Sequence, residues 1–285
     1  MRKMILRFIP PAVLSMLKFM RNRLGGAEWE YMPLGFAYKG KNIKGWNVNS
    51  IVKLQLSKWS NFHQRVKSPG NFAVNHEASD YDVPDLISHN LIMSFSYVCL
   101  LAAGRKNNLS LLDWGGGIGH YGLIAKEALP GISIDYWCYD LEVFGIGALE
   151  ALPDAQFVSD ITFVEDLKFD LVNISSSIWY DPEWKQTLLN LRPSVGKYMY
   201  ITRMIFVENE PTYVAIQKPY SMGYKTEYLC LIFNKRELID YVISLGYTFE
   251  REFYFGPAAH IYKAPEQGNY LGFLFKKNEE QITTG

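Results

Sequence analysis

An α/β fold built on a mainly parallel sheet is predicted for residues 105–285, with residues 1–104 forming a mainly helical N-terminal cap. Two observations predict it. After Gly104, short apolar runs alternate with amphipathic stretches, the pattern of successive strand–helix–strand units. The first of these runs, Leu109–Asp113, passes directly into a glycine-rich turn and then a helical stretch, an arrangement that binds ligands at the C-terminal ends of parallel strands.

Composition agrees with a globular enzyme-sized chain. Hydrophobic residues are 48% and charged residues 20% of 285, which excludes a disordered or low-complexity protein. With 29 Lys+Arg against 29 Asp+Glu there is no basic surplus to neutralise phosphates, so nucleic acid is not an expected partner. Cys99, Cys138 and Cys230 show neither disulfide-framework nor zinc-ligand spacing, so no metal is expected and a reducing cytoplasm is the expected location. No uninterrupted apolar run is expected to reach the roughly 18 residues of a membrane-spanning helix.

In chain order, residues 1–24 carry Arg2, Lys3, Arg7, Lys18, Arg21 and Arg23 and no acid. Their apolar positions cover more than one helical face. Two readings stand: a surface helix making peripheral contact with an anionic membrane, each base adding about 1 kcal/mol, or a docking helix packing on protein. Helical patches at 49–64 and 83–103 belong to the cap, and His76, Glu77 and Asp80 lie in an irregular polar stretch between them. Strands are expected near 109–113, 132–139, 155–158, 169–174 and 196–203, with helices near 119–129, 143–151 and 181–191. Extended runs follow at 212–217 and 228–233. A helix over 235–244 opens with Asn234 as N-cap and Glu237 three residues on, a capping-box spacing. Strands near 247–255 and 270–276 close the chain.

The chemistry concentrates in Leu109–Gly122. Glycines there let a ligand approach the backbone, and the following helix offers free N–H groups. Two templates fit: Gly117-x-Gly119-x-x-Gly122 satisfies a dinucleotide pattern, and Asp113-x-Gly115-x-Gly117-x-Gly119 satisfies another. The second resembles motif I of the class I S-adenosylmethionine-dependent methyltransferases. That resemblance implies a Rossmann-like, seven-stranded, mostly parallel sheet with an antiparallel closing hairpin, to which helix 235–244 and the two strands after it correspond. A narrower resemblance covers most of the chain, to an uncharacterised bacterial methyltransferase family whose genes often accompany surface-polysaccharide synthesis. Its marks are Gly115-Gly116-Gly117-Ile118-Gly119, Asp140, Arg203 and Gln217, with Trp114 and Tyr139-Asp140 where relatives more often have Phe and Val-Glu.

The resemblance implies S-adenosyl-L-methionine as cofactor and a sugar or lipid-linked glycan as methyl acceptor. In the cofactor set, Asp113 would orient the loop or reach the methionine amino group, and Trp114, Gly115, Gly116, Gly117, Gly119 and Tyr121 would form the loop and helix start. Asp140, with Leu141 beside it, would grip the ribose hydroxyls. Asp160 would accept from the adenine amino group, and Ser175 completes the set. Trp179, Tyr180 and Gln217 are expected on the acceptor side. Trp114, Tyr121, Trp179 and Tyr180 could also face the cationic donor. His120 and His260 are the candidate general bases. Arg203 would meet an acceptor carboxylate or phosphate, with an internal salt bridge as the equal alternative. Two other functions remain open at this point: an NAD(P)-dependent oxidoreductase, and a non-catalytic protein acting at a membrane surface or on a partner.

Overall fold

The computed structural model describes residues 27–75 and 84–279 of the chain. The basic segment 1–24 and the stretch with His76, Glu77 and Asp80 lie outside the described residues. In chain order the cap supplies β1 (Trp29–Tyr31), α1 (Asn49–Lys67) and α2 (Leu86–Ala103). The remainder supplies β2 (Asn108–Trp114), α3 (His120–Ala128), β3 (Ser133–Tyr139), α4 (Glu142–Ala151), β4 (Gln156–Val158), α5 (Thr162–Glu165) and β5 (Phe169–Ser175). It continues with α6 (Trp184–Leu191), β6 (Val195–Val207), β7 (Tyr213–Gln217), β8 (Tyr228–Asn234), α7 (Lys235–Ser244), β9 (Tyr247–Pro257) and β10 (Asn269–Lys277).

Seven strands lie in the order β4-β3-β2-β5-β6-β10-β9. Those from β4 to β6 are mutually parallel, and β10 is inserted antiparallel to both β6 and β9. The α/β architecture with its closing hairpin is therefore the one the residues predict. The sheet is larger than expected, however. β6 runs for 13 residues, and its far end pairs in parallel with β8 through Phe206 and Val207. β8 then pairs antiparallel with β7, and β7 with β1, where Trp29 sits opposite Gln217. Periodicity cannot reveal a strand of three residues whose partners lie far along the chain.

Strand alternation places the core. In β2, Leu109 and Leu111 join the cluster packed under α2 and α3, while Leu112 joins the opposite one. β6 does the same with Tyr200 against Met199 and Ile201, and β10 with Leu274 against Phe273 and Phe275. Burial on both faces is why these strands read as nearly continuous apolar runs.

Three local expectations change. α2 carries no Lys, Arg, Asp or Glu over 18 residues, so one helix among those described does reach the length and composition of a membrane span. Half of it is buried inside the protein, where Phe95, Val98, Cys99 and Ala102 pack on the sheet and Asp85 caps its start by accepting from the Ile87 N–H. The helix expected over 181–191 begins later, at Trp184. Asp181 instead accepts from the Glu183 N–H at 2.8 Å and from Thr187 Oγ1 at 2.5 Å, and so organises the helix start. At α7, Asn234 accepts from the Glu237 N–H at 3.0 Å as expected of an N-cap, but the Glu237 carboxylate turns to Thr212 Oγ1 and Lys185 rather than closing the capping box.

Candidate functional site

The chain turns sharply where β2 ends. Gly115 has φ +77°, and a Cβ there would lie 2.2 Å from Ser177 Cβ, so the β2 and β5 turns touch without room for a side chain. The loop is tied to the end of β3. Gly115 N–H donates to Tyr139 O at 2.7 Å, Gly116 N–H to the same oxygen at 3.4 Å, and Gly117 N–H to Asp140 Oδ2 at 2.6 Å. Gly119 N–H donates back to Gly116 O. The Asp140 carboxylate also accepts from the Leu141 N–H at 2.6 Å, and burial pushes it up to about 6.

Asp113 lies beneath this loop and is 1% exposed. Tyr136 OH and Asn173 Nδ2 each donate to it at 2.8 Å, and Gly116 passes directly over it. Of its two expected roles, orienting the loop is the one this position allows. Burial raises its carboxyl to about 7, against which the two hydrogen bonds act only in part. The folded protein therefore retains a proton that the unfolded chain releases above about pH 4. Stability should fall as pH rises from about 4 to about 7 and level off above that. Thermal melts across this range should show a shallower decline for Asp113→Asn, and an unchanged slope would mean that Asp113 is already ionised in the folded protein.

Above the loop, at the C-terminal strand ends, opens a cavity of about 860 Å³. Of the residues expected from sequence, Trp114, Gly115, Gly116, Gly117, His120, Tyr121, Asp140, Leu141, Ser175, Trp179, Tyr180, Arg203 and Gln217 all line it. His120 opens α3, 5% exposed, with its imidazole edge-on to Trp59 at 5.2 Å and Phe62 at 5.0 Å. Tyr121 OH and Ser175 Oγ are 2.8 Å apart. Two non-glycine residues with left-handed φ face each other on the cavity floor: Ser176 at +53° after β5, and Arg203 at +59° within β6. Ser176 holds the pair together, donating its N–H to Thr202 O and its hydroxyl to Arg203 O. Such strain persists where surrounding structure over-determines it, commonly at ligand sites.

Two expected residues do not reach the cavity. Asp160 is fully exposed and turns back on its own chain, accepting from the Thr162 N–H and hydroxyl, which lowers its carboxyl. His260 is exposed as well. Its neighbours fix the loop: Gln267 brackets the Ile261 backbone with two bonds of 2.9 Å, and Tyr262 N–H donates to Trp29 O. Two further expected residues are outside the lining: Asp113, beneath the loop, and Gly119, at the loop's end against Leu152.

The cap, expected to help form the acceptor site, and the β7–β8 hairpin supply side chains that sequence reasoning missed. Trp46 stacks on Tyr228 with centroids 4.6 Å apart and meets Tyr180 and Tyr224 edge-on, while Trp179 lies 5.6 Å from Trp29. The buried Nε1 atoms of Trp46 and Trp179 have no hydrogen-bond partner. The 218–227 connection roofs the cavity and is tied to α1, with Gln55 Nε2 donating to Tyr224 OH at 3.4 Å and Lys58 Nζ to Met222 O. In a chain that is 15% aromatic, nothing local marks these rings as a wall. Asp85, Asp140 and Asp181 face the cavity with Arg203 and His120, and among the described residues no lysine lines it. This arrangement suits a cationic or neutral ligand carrying hydroxyls and flat surfaces, not an anionic one.

No protein-family model matches the sequence, and no curated protein matches it. Solved structures share the fold class distantly. Magnesium protoporphyrin IX methyltransferase from Synechocystis PCC 6803, with bound S-adenosylmethionine, is 13% identical over 82% of this chain and 99% of its own, with a TM-score of 0.46. The 1,6-didemethyltoxoflavin-N1-methyltransferase of Burkholderia thailandensis, with bound 1,6-didemethyltoxoflavin and S-adenosylhomocysteine, is 14% identical over 81% and 90%, with a TM-score of 0.45. An S-adenosylmethionine-dependent methyltransferase from Clostridium acetobutylicum is 12% identical over 66% and 92%, with a TM-score of 0.44. At TM-scores below 0.5 these likenesses add nothing to what the strand order and the cavity establish by themselves.

Proposed function

We propose that the chain is an S-adenosylmethionine-dependent methyltransferase that methylates an oxygen of a sugar or surface-glycan precursor. The observation that carries the cofactor reading is the use of the loop's N–H groups. A dinucleotide site turns such groups toward a pyrophosphate. Here Gly115, Gly116, Gly117 and Gly119 all donate within the protein, and Gly117 donates to a carboxylate that would repel an anion. The antiparallel β10, inserted between β6 and β9, also departs from the all-parallel dinucleotide order.

The cofactor, when bound, supplies an electrophilic methyl group on a sulfonium. The residues present fit it: a glycine loop that a side chain would close, Asp140 as hydroxyl acceptor, Leu141 and Phe144 as apolar walls, and aromatic faces for a positive charge. Pro219, Met222 and Tyr224 from the 218–227 roof would limit water around a bound ligand, and the cap wall would hold the acceptor in place. His120 is the imidazole on the lining suited to take the proton of the attacking hydroxyl. A polyhydroxylated ring is supported by the alternation of flat faces at Trp179 and Tyr180 with planar polar groups at Asn75, Asp181 and Gln217.

Calorimetric titration with S-adenosylmethionine, S-adenosylhomocysteine, NAD and NADP tests the reading. Micromolar binding of the two adenosyl ligands alone is expected. Binding of NAD or NADP would reinstate the oxidoreductase, and binding of none would favour a non-catalytic role.

A further inference from the structure

Gln55 presents a buried acceptor with nothing to accept. It is 5% exposed, its Nε2 donates to Tyr224 OH, and its Oε1 has no hydrogen-bond partner. Buried polar atoms are nearly always paired, so an orphan at the wall of a cavity points to a group that arrives with the ligand. Its position is specific. A Cβ built on Gly117 would have Gln55 Oε1 as its nearest neighbour at 3.7 Å, and the Gly117 N–H is the one held by Asp140. Gln55 from above and Asp140 from beside therefore bracket the same residue of the loop.

α1 has little freedom to move that oxygen. Val52, one turn earlier, packs so closely on α4 that a Cβ on Gly147 would lie 2.5 Å from Val52 Cγ1, and Lys58, one turn later, is tied to Met222 O. The acceptor is thus presented in advance, and a neutral amide oxygen selects a donor without adding charge beside Asp140.

We propose that Gln55 accepts a hydrogen bond from a ribose hydroxyl of the bound adenosyl ligand, so that the cap helix and Asp140 together grip the vicinal diol. This rests on the cofactor reading above. It makes Gln55 a binding residue for the cofactor, contributed by the cap, and couples the seating of α1 to cofactor loading.

The test is calorimetric, on the full chain. Gln55→Leu, or the longer Gln55→Met should the leucine variant fail to fold, is titrated with S-adenosylhomocysteine, with 5′-methylthioadenosine, and with the 2′-deoxy and 3′-deoxy forms of the latter. Loss of one neutral hydrogen bond should weaken the first two ligands alike, by about three- to tenfold. With one of the two deoxy ligands, variant and unaltered protein should bind equally, because the partner hydroxyl is already gone. Unchanged affinity in the variant would overturn the proposal. Weakening confined to S-adenosylhomocysteine would overturn it too, because it would place Gln55 at the amino-acid end. If the unaltered protein binds no adenosyl ligand, the cofactor reading itself falls, an outcome distinct from losses confined to the variants.

Discussion

Gly115→Ala is expected to destabilise the protein by about 2–4 kcal/mol and to abolish ligand binding, the sum of a strained backbone and an overpacked contact. The added Cβ would sit 2.2 Å from Ser177 Cβ, on a residue whose φ of +77° already disfavours any side chain. Nor can the opposing turn retreat easily. Ser177 Oγ donates to Trp114 O at 2.7 Å, and Ser176 is fastened to Thr202 and Arg203 on β6. Moving Ser177 would break the bonds that hold the left-handed pair on the cavity floor. Urea denaturation measures the effect, and a loss under about 1 kcal/mol would mean that the β5 turn yields more readily than these bonds suggest.

Asp140→Ala should weaken S-adenosylhomocysteine binding by about 10- to 100-fold, since a buried acceptor is lost and its donors are left unpaired. Both carboxylate oxygens have protein partners, the N–H groups of Gly117 and Leu141, so the substitution slackens the loop as well as removing the proposed ribose acceptor. The pH dependence separates the two contributions. Burial raises Asp140 to about 6, and the ionised form is the better acceptor, so affinity in the unaltered protein should fall as pH drops through about 6. Asp140→Asn, which retains one carbonyl oxygen, should lose this dependence. Isothermal titration at pH 5 to 8 reads both effects, and an affinity unaltered in Asp140→Ala would remove Asp140 from the site.

How far the site could be read in advance differs from residue to residue. The loop from Asp113 to Gly119 and the acid at Asp140 are local patterns: a strand end, a glycine series, a second strand end. Asp160, expected from the resemblance at a strand end, and His260, expected from its loop between the last two strands, lie outside the cavity, because a position along the chain does not set the direction of a side chain. Asp160 finds a nearer donor in Thr162, and the loop carrying His260 is held toward β1 by Gln267 and the Tyr262–Trp29 bond. Gln55, Trp46 and Tyr224 had no local signal at all. Gln55 occupies a buried position on a helix whose other buried residues include Ile51, Val52 and Phe62, and its distinction is the absence of a partner in space.

The sequence by itself determined the α/β class, the parallel run of strands and the glycine loop followed by a strand-end acid, because hydrophobic periodicity and turn chemistry act over a few residues, while the antiparallel setting of the last two strands was implied by the resemblance. Only the tertiary structure decided the short strand β1, the pairing of β7 and β8 into the main sheet, and the aromatic wall and roof of the cavity. Those depend on pairings such as Trp29 with Gln217 and Gln55 with Tyr224, which are chosen by burial and hydrogen bonding between segments far apart in the chain.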